Sequence, residues 1–394
     1  MNSWELRASA LEEQAGRDAM ACCQQWPEGS GVVIGSGGSS GGRKWCLQSW
    51  ENLEQSASSS ANWLQSIGVD PSSVRMVNPL PSHHMGGLMP QIRARQWQAP
   101  LVAIAPQLMK SAGALLEQHG NLSRGGRDAV ISLVPTQLQR LLCDPSGRSW
   151  LKQFRLLWIG GGPLSQELAD QARQLQLPLS PCYGSTETAA MVCATDPAQF
   201  LAGQNGCGEP LSDVELQPDP ASGAVAVKTK RLSPGWLNGD QVQPFADANG
   251  WWHSGDAGRL GPAGLELLGR LDGALNSGGA TVFPEQIEAA LGGLAGVEAV
   301  LVVGLPDPQW GQRLIGLVKP SAGANADAVT AQLEMRSSSL PPAQRPKRWQ
   351  LCPQLAPNPQ GKWERQRWQH WAQGCAEGTA ANPEQPKLLE PTAA

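Results

Sequence analysis

Residues 155–187 read RLLWIGGGPLSQELADQARQLQLPLSPCYGSTE. An apolar run from Arg155 to Ile159 meets Gly160-Gly161-Gly162-Pro163, helical spacing follows over 165–175, and a further strand leads into Tyr183. A strand, a glycine turn, a helix and a second strand form a β-α-β unit, whose crossover makes the two strands parallel. The pattern repeats upstream. Apolar strands are expected over 75–78, 101–104 and 129–133, each leading into a helical or loop crossover. Thr136 with Gln139 fits a capping box for a helix carrying Leu138, Leu141 and Leu142. This alternation predicts an α/β fold with a large N-terminal domain of parallel sheets. The first 34 residues read as helical up to a strand over 31–34, which feeds the loop 35–44.

After Phe200 the pattern changes to short strands with frequent turns, over 214–217, 224–228 and 265–268, which is antiparallel character. A helix opened by Pro284 and running to Leu291 precedes strands over 299–303 and 314–319, enough for a small, mobile C-terminal α+β domain. The expected division is a nucleotide-binding domain over 1–271, a lid domain over 272–370, and a disordered tail over 371–394 rich in Ala, Pro, Glu and Gln.

Composition excludes several classes. The 394 residues carry 30 Lys and Arg against 34 Asp and Glu, a net charge of −4, so this is not a basic nucleic-acid binder. Apolar runs such as 289–297 are about half the length that a membrane-spanning helix needs, and the N-terminus has no apolar leader core. A cytoplasmic protein is expected. Nine scattered cysteines, two of them adjacent at Cys22 and Cys23, suit neither a disulfide framework nor a metal knuckle and read as reduced, mostly buried thiols. With 45 Gly and 32 Pro, turns and glycine loops must be plentiful. There are 16 Trp but a single Tyr, Tyr183.

The loop Ser36-Gly37-Gly38-Ser39-Ser40-Gly41-Gly42-Arg43-Lys44 combines bare backbone, hydroxyls and two cations directly after a strand. Inward-pointing amides, serine donors and positive charge suit a polyphosphate, although a Gly/Ser linker has the same composition. It is not a Walker A loop, since no Gly-Lys-Ser/Thr closes it. Residues 37–41 also satisfy G-x-S-x-G, with Asp256 and His370 following in hydrolase order, but the glycines spread too widely for one tight elbow. Tyr183-Gly184-Ser185-Thr186-Glu187 offers a ring for stacking, a flexible glycine, a hydroxyl for phosphate and a carboxylate for Mg²⁺, or else a surface turn. Ser254-Gly255-Asp256 and Gly269-Arg270-Leu271-Asp272 supply a carboxylate suited to ribose hydroxyls and a nearby cation.

Together these pieces resemble, in order, the adenylate-forming acyl-CoA ligase (AMP-binding) family. Residues 36–44 are similar to its phosphate loop, with Arg43 in place of Pro. Leu80-Pro81-Ser82-His83-His84-Met85-Gly86-Gly87 resembles its Leu-Pro-x-x-His-x-x-Gly segment, residues 183–187 its Tyr-Gly-x-Thr-Glu, residues 252–256 its aromatic-x-Thr-Gly-Asp, and residues 269–272 its Gly-Arg-x-Asp hinge. Gly304-Leu305-Pro306-Asp307 with Gly311, then Gly361-Lys362 with Arg365, complete the series. Residues 132–142 and 277–288 are most similar to the o-succinylbenzoate CoA ligases of menaquinone and phylloquinone synthesis.

The resemblance implies ATP, Mg²⁺ and coenzyme A acting on a small carboxylic acid, with no nucleic-acid partner and an assembly compatible with a homo-oligomer. Lys362 would bridge the acyl carboxylate and α-phosphate. Ser36, Gly37, Gly38, Ser39, Ser40, Gly41 and Lys44 would hold the outer phosphates, Thr186 the α-phosphate, Glu187 the Mg²⁺, Asp256 and Arg270 the ribose, and Gly160, Gly161, Gly162, Tyr183 and Gly184 the adenine side. His84, Arg93 and Thr136 would line the acyl site, and Asp272 would be the hinge between half-reactions. Arg93 suits a dicarboxylate with one carboxyl left unreacted, although it could also be a solvated surface charge. His83 beside His84 invites a metal reading, but adjacent residues rarely converge on one ion. Other aryl or fatty acyl specificities, and a non-catalytic nucleotide binder, are the competing classes. Only 34 residues precede Gly35, fewer than in most relatives, so a reduced N-terminal scaffold is expected.

Overall fold

A computed structural model describes residues 3–37, 43–122, 125–357 and 363–376. The chain divides into two compact units, one formed by 1–164 with 168–267 and the other by 165–167 with 268–394. The division falls inside strand Gly264–Arg270, and Asp272 follows in the short turn Leu271–Gly273.

The first unit is built on a seven-stranded sheet. Strands Leu101–Ala103, Val74–Asn78, Asp128–Leu133, Phe154–Ile159 and Leu179–Ser185 run side by side and parallel. Strands Ala190–Ala194 and Glu209–Pro210 then extend the sheet antiparallel. The expected α/β core is thus present, and each parallel strand ends near a crossover loop at one edge of the sheet. Leu157, Ile131 and Val77 face helices carrying Leu138, Leu141, Leu142, Trp150 and Ala172 in one apolar cluster. Helix Pro135–Leu142 buries the three leucines foreseen from their spacing. Its cap differs from the expected one. Pro135 sets the first helical turn with its fixed φ, and the Gln137 side chain accepts from the Val134 backbone N–H at 3.2 Å, so Thr136 lies inside the helix, exposed.

Two further sheets flank this core. One orders the strands Ser3–Arg7, Ser30–Gly37, Arg43–Ser49, Trp236–Asn238 and Gln241–Gln243. The strand expected over 31–34 is present within Ser30–Gly37, but the helical reading of the residues before it is corrected. Only Glu13–Cys22 is helical, while Ser3–Arg7 pairs parallel with Ser30–Gly37 because Trp4 and Leu6 alternate onto an apolar patch of Val33, Trp45 and Leu47. The other sheet holds Glu215–Pro218, Ala224–Lys228, Trp252–Gly261 and Gly264–Arg270, in keeping with the antiparallel reading. Helix Trp50–Ser66 is capped by Ser49 Oγ, which accepts from Asn52 N–H at 3.0 Å, and its buried face of Leu53, Ser56, Ala57, Ser60 and Leu64 keeps helical spacing.

The second unit is a sheet with helices on both faces. Strands Val297–Asp307 and Gly311–Pro320 pair along their whole length, joined by Leu275–Ser277, Ala280–Val282 and Arg348–Leu351. Val300 and Val302 face helices Pro284–Leu291 and Ala326–Ser337, while Leu301, Val303 and Leu305 face helix Arg365–Ala376, the period-two split of a sheet covered on both sides. That last helix overruns the expected start of the tail at 371, since Ala372 is fully buried beside Trp368. All nine cysteines are free, with Cys23, Cys46, Cys193 and Cys352 buried and only Cys22 and Cys143 exposed. No helix among the described residues is long and apolar enough to cross a membrane.

Trp150 anchors the first unit's core. It is fully buried, meets Phe154 edge-on at 4.7 Å and donates from Nε1 to His119 O at 3.1 Å. Trp150→Ala should lower the free energy of unfolding by about 3–5 kcal/mol, read as a fall in the urea midpoint at unchanged slope.

Candidate active site

The glycine-rich stretch joins two strands, Ser30–Gly37 and Arg43–Ser49, that pair antiparallel as a hairpin. Ser36 pairs with Lys44 and Gly37 with Arg43, so the strand runs on past Gly35 and both ends of the expected loop of 35–44 are strand. Gly38, Ser39, Ser40 and Gly41 lie outside the described residues, as does Lys362. The hairpin's described base carries the decisive contact. Ser36, buried, donates from Oγ to Glu187 Oε1 at 2.6 Å across 151 residues of sequence.

Glu187 is itself buried and held from several sides. Trp236 Nε1 donates to the same Oε1 at 3.2 Å. Gln48, fully buried in the hairpin's second strand, donates from Nε2 to the carbonyls of Thr186 at 2.7 Å and Glu187 at 3.1 Å. Ser233 N–H donates to Glu187 O at 2.8 Å. A carboxylate whose Oε1 is doubly engaged, and whose Oε2 has no hydrogen-bond partner among the described residues, is a hard oxygen donor suited to Mg²⁺.

The following turn is strained. Ala189 and Ala190 have φ of +52° and +76°, conformations that cost non-glycine residues about 1–3 kcal/mol each. Arg231, fully buried, over-determines the turn. It pairs through Nε with Asp213 at 2.8 Å and donates to the carbonyls of Thr188 and Met191. Ser56 Oγ and Thr188 Oγ1 donate to the carbonyls of Ala189 and Ala190. Gly184 serves here by size and not by flexibility, because a Cβ would fall 2.1 Å from Ala190 O on the neighbouring strand.

Tyr183 joins a third motif to this corner. Its hydroxyl donates to Asp256 Oδ2 at 2.8 Å, and Ser254 Oγ accepts from Asp256 N–H at 3.1 Å. Burial pushes the Tyr183 phenol well above its usual range, and the Asp256 charge adds to the shift. The glycines sit at the same edge. Gly160 lies so close to Cys182 that a Cβ would be 3.1 Å from its Sγ, and Gly161 has φ +76°. Thr136 follows the end of the adjacent strand Asp128–Leu133. The C-terminal ends of neighbouring parallel strands are where α/β sheets place ligands.

Helix Met85–Gln96 starts at His84, whose ring lies 4.4 Å from that of His83. Arg93 on this helix is not a solvated surface charge. It is 3% exposed, its guanidinium lies 4.8 Å from the Trp158 ring centroid, and its Nε has no partner among the described residues. Burial lowers it from its ordinary 12.5 to about 10, with Cys182 and Arg231 as lesser influences, so it stays charged at neutral pH. Arg95, two residues on, is exposed and pairs with Glu54.

Ser36, Lys44, Tyr183, Glu187 and Asp256 are thus linked within the first unit. Arg270 and Asp272 belong to the second, where they pair through Nε–Oδ1 and Nη2–Oδ2 contacts of 3.1 Å each. Gln48, Arg231, Ser233 and Trp236 were not apparent from sequence; the one available hint was Gln48, a polar residue closing an apolar strand.

The sequence profile of the AMP-binding enzyme family matches residues 10–217, and that of the AMP-binding enzyme C-terminal domain matches 286–362. The chain belongs to the AMP-binding enzyme family. It is similar to the 2-succinylbenzoate–CoA ligase of Enterococcus faecalis, 31% identical over 60% of this chain and 50% of that one. The Geobacillus sp. enzyme of the same description is 28% identical over 74% of this chain and 59% of its own length. The chain therefore spans between half and three fifths of the length of these curated relatives. Among solved structures it is similar in fold to o-succinylbenzoate CoA synthetase of Bacillus subtilis in complex with an acyl-adenylate intermediate, with a TM-score of 0.73 at 23% identity over 86% of this chain and 68% of that one. ATP-bound MatB of Rhodopseudomonas palustris has a TM-score of 0.72 at 21% identity, covering 86% and 67%.

Since Tyr183 is the only tyrosine, phenolate absorbance reports it alone. The native protein should show almost no phenolate at pH 10, where an unfolded tyrosine is about half ionised, and Asp256→Asn should bring the titration to lower pH. A native value above the unfolded one means that the stabilisation is complete below pH about 10 and is lost as pH climbs through the native titration. Half-ionisation at pH 10 in the folded protein would contradict the buried Tyr183–Asp256 pair.

Proposed function

We propose that this protein is an AMP-forming carboxylate–CoA ligase that converts o-succinylbenzoate, through its acyl-adenylate, to o-succinylbenzoyl-CoA. The observation that carries the reading is the joining of three separated motifs, with Ser36 on Glu187 and Tyr183 on Asp256. The curated relatives named as 2-succinylbenzoate–CoA ligases support the choice of acid. So does Arg93, a buried cation without an acidic partner among the described residues. A purely apolar acid would leave that charge uncompensated, whereas the second carboxylate of a dicarboxylate would neutralise it. We place the reaction in the cytoplasm, where ATP and CoA are supplied.

A free carboxylate resists thiol attack because an oxide would have to leave. In the proposed reaction one carboxylate oxygen attacks the α-phosphorus of ATP in line, the bond to the bridging oxygen breaks, and pyrophosphate departs. The thiolate of CoA then attacks the acyl carbon and expels AMP. Both steps depend on placement and charge neutralisation more than on proton transfer. Mg²⁺ would neutralise phosphate oxygens beside Glu187. Ser36 and Lys44, with Gly37, Gly38, Ser39, Ser40 and Gly41, would hold the outer phosphates, and Thr186, whose carbonyl Gln48 fixes, the α-phosphate. Asp256 would take the ribose with Arg270, and Tyr183 with Gly184 and Gly160, Gly161 and Gly162 would frame adenine. His84, Arg93 and Thr136 would line the acid. Lys362 would neutralise the charge developing between carboxylate and α-phosphate, and Asp272 would be the hinge about which the second unit turns.

The test is pyrophosphate release across a panel of acids with the thioester product weighed by mass spectrometry. o-Succinylbenzoate should be turned over best and give the mass of its CoA thioester; faster turnover of a long-chain fatty acid, or no acid-dependent release, would overturn the proposal. Arg93→Ala should raise KM for o-succinylbenzoate by at least about tenfold while leaving that for benzoate unchanged. Lys362→Ala should abolish pyrophosphate release yet retain thioester formation from supplied acyl-adenylate, and equal loss of both half-reactions would remove Lys362 from the first step.

A further inference from the structure

Trp236 touches both charged groups at the base of the hairpin. Its Nε1 donates to Glu187 Oε1 at 3.2 Å, and Lys44 Nζ lies 4.2 Å from its ring centroid. The ring is fixed in place. Trp236 pairs with Cys46 of the hairpin's second strand and packs on Phe245 at 4.5 Å, which in turn packs on Trp252 at 5.7 Å. An ammonium and a carboxylate meeting on one side chain would ordinarily pair with each other. Here they do not: the ammonium lies over the ring face, where the negative quadrupole attracts it, and the carboxylate accepts from the ring's N–H edge. The second donor to Glu187, Ser36 Oγ, lands on the same Oε1 and leaves Oε2 without a hydrogen-bond partner among the described residues.

We infer that Trp236 is a positioning residue for the metal corner: it orients Glu187 so that Oε2 remains available to Mg²⁺, and it holds Lys44 off that carboxylate. The inference rests on the reading that Glu187 binds Mg²⁺ with ATP. An indole is suited to both tasks, because a donor is needed at the edge and an electron-rich face above. Phenylalanine would supply only the face and leucine neither. Loss of the ring would let Lys44 swing onto Glu187 and occupy the charge that the metal needs.

The experiment is calorimetric titration of ATP into the full chain at a series of Mg²⁺ concentrations, without any acid, alongside the thermal unfolding midpoint. Trp236→Phe should raise the Mg²⁺ concentration for half-maximal ATP binding about threefold and Trp236→Leu about tenfold, with the order Trp, Phe, Leu set by successive loss of the N–H and the ring face. Adding Lys44→Gln to Trp236→Leu should bring the Mg²⁺ requirement back to that of Lys44→Gln alone, a rescue that loss of packing would not produce. Unchanged Mg²⁺ dependence in Trp236→Phe and Trp236→Leu, or no rescue by Lys44→Gln, would overturn the inference. If Trp236→Leu does not fold, Trp236→Phe decides the matter by the same criterion. Wild-type protein that binds ATP with Mg²⁺ but releases no pyrophosphate with o-succinylbenzoate would instead overturn the functional proposal and leave this one standing.

Discussion

The hydrogen bond from Ser36 to Glu187 is the contact on which the account depends. It is short, buried and made between residues 151 positions apart, and it brings the glycine hairpin to the strand that carries the Tyr-Gly-Ser-Thr-Glu segment. A buried carboxylate must have its lone pairs satisfied or bind a cation. Glu187 has one oxygen doubly satisfied, and the backbone around it is pinned by Gln48 and Ser233. The strained pair Ala189 and Ala190 follows immediately, held by the fully buried Arg231. Stiffness is concentrated where a nucleotide's charge would be received, as expected when catalysis works by placement.

Arg93 sets the second constraint. Keeping a guanidinium charged where burial lowers it to about 10 costs on the order of 3 kcal/mol relative to water. The Trp158 ring offsets part of this through its face. A stable fold would ordinarily add a carboxylate, and an incoming acid can supply one. On the proposed function, Glu187 and Asp256 would face a metal-bound polyphosphate and Arg93 an organic dianion, two environments of opposite charge.

Much of the fold was legible because strand and helix periods are local properties. The parallel strands from Val74 to Ser185 and the helix Pro284–Leu291 follow from apolar spacing and a leading proline. The N-terminal strand Ser3–Arg7 was missed because five residues of alternation are weak beside the helix-like run after it. The Thr136 cap failed since Pro135 already fixes the first turn. In the site, contiguous motifs could be found by their chemistry, and within the first unit Tyr183 meets Asp256 and Ser36 meets Glu187. Gln48, Arg231 and Trp236 could not, because each bonds to a carbonyl or carboxylate 40 to 139 positions away and leaves no local pattern. Arg93 was visible as a charge, but only the fold decides between surface and core.

The most direct measurement is a crystal structure of the protein soaked with ATP and Mg²⁺. The metal should lie on Glu187 Oε2, the ribose hydroxyls on Asp256 and the triphosphate along the hairpin of Ser36 and Lys44. Nucleotide bound elsewhere, with Glu187 and Asp256 both untouched, would contradict this placement.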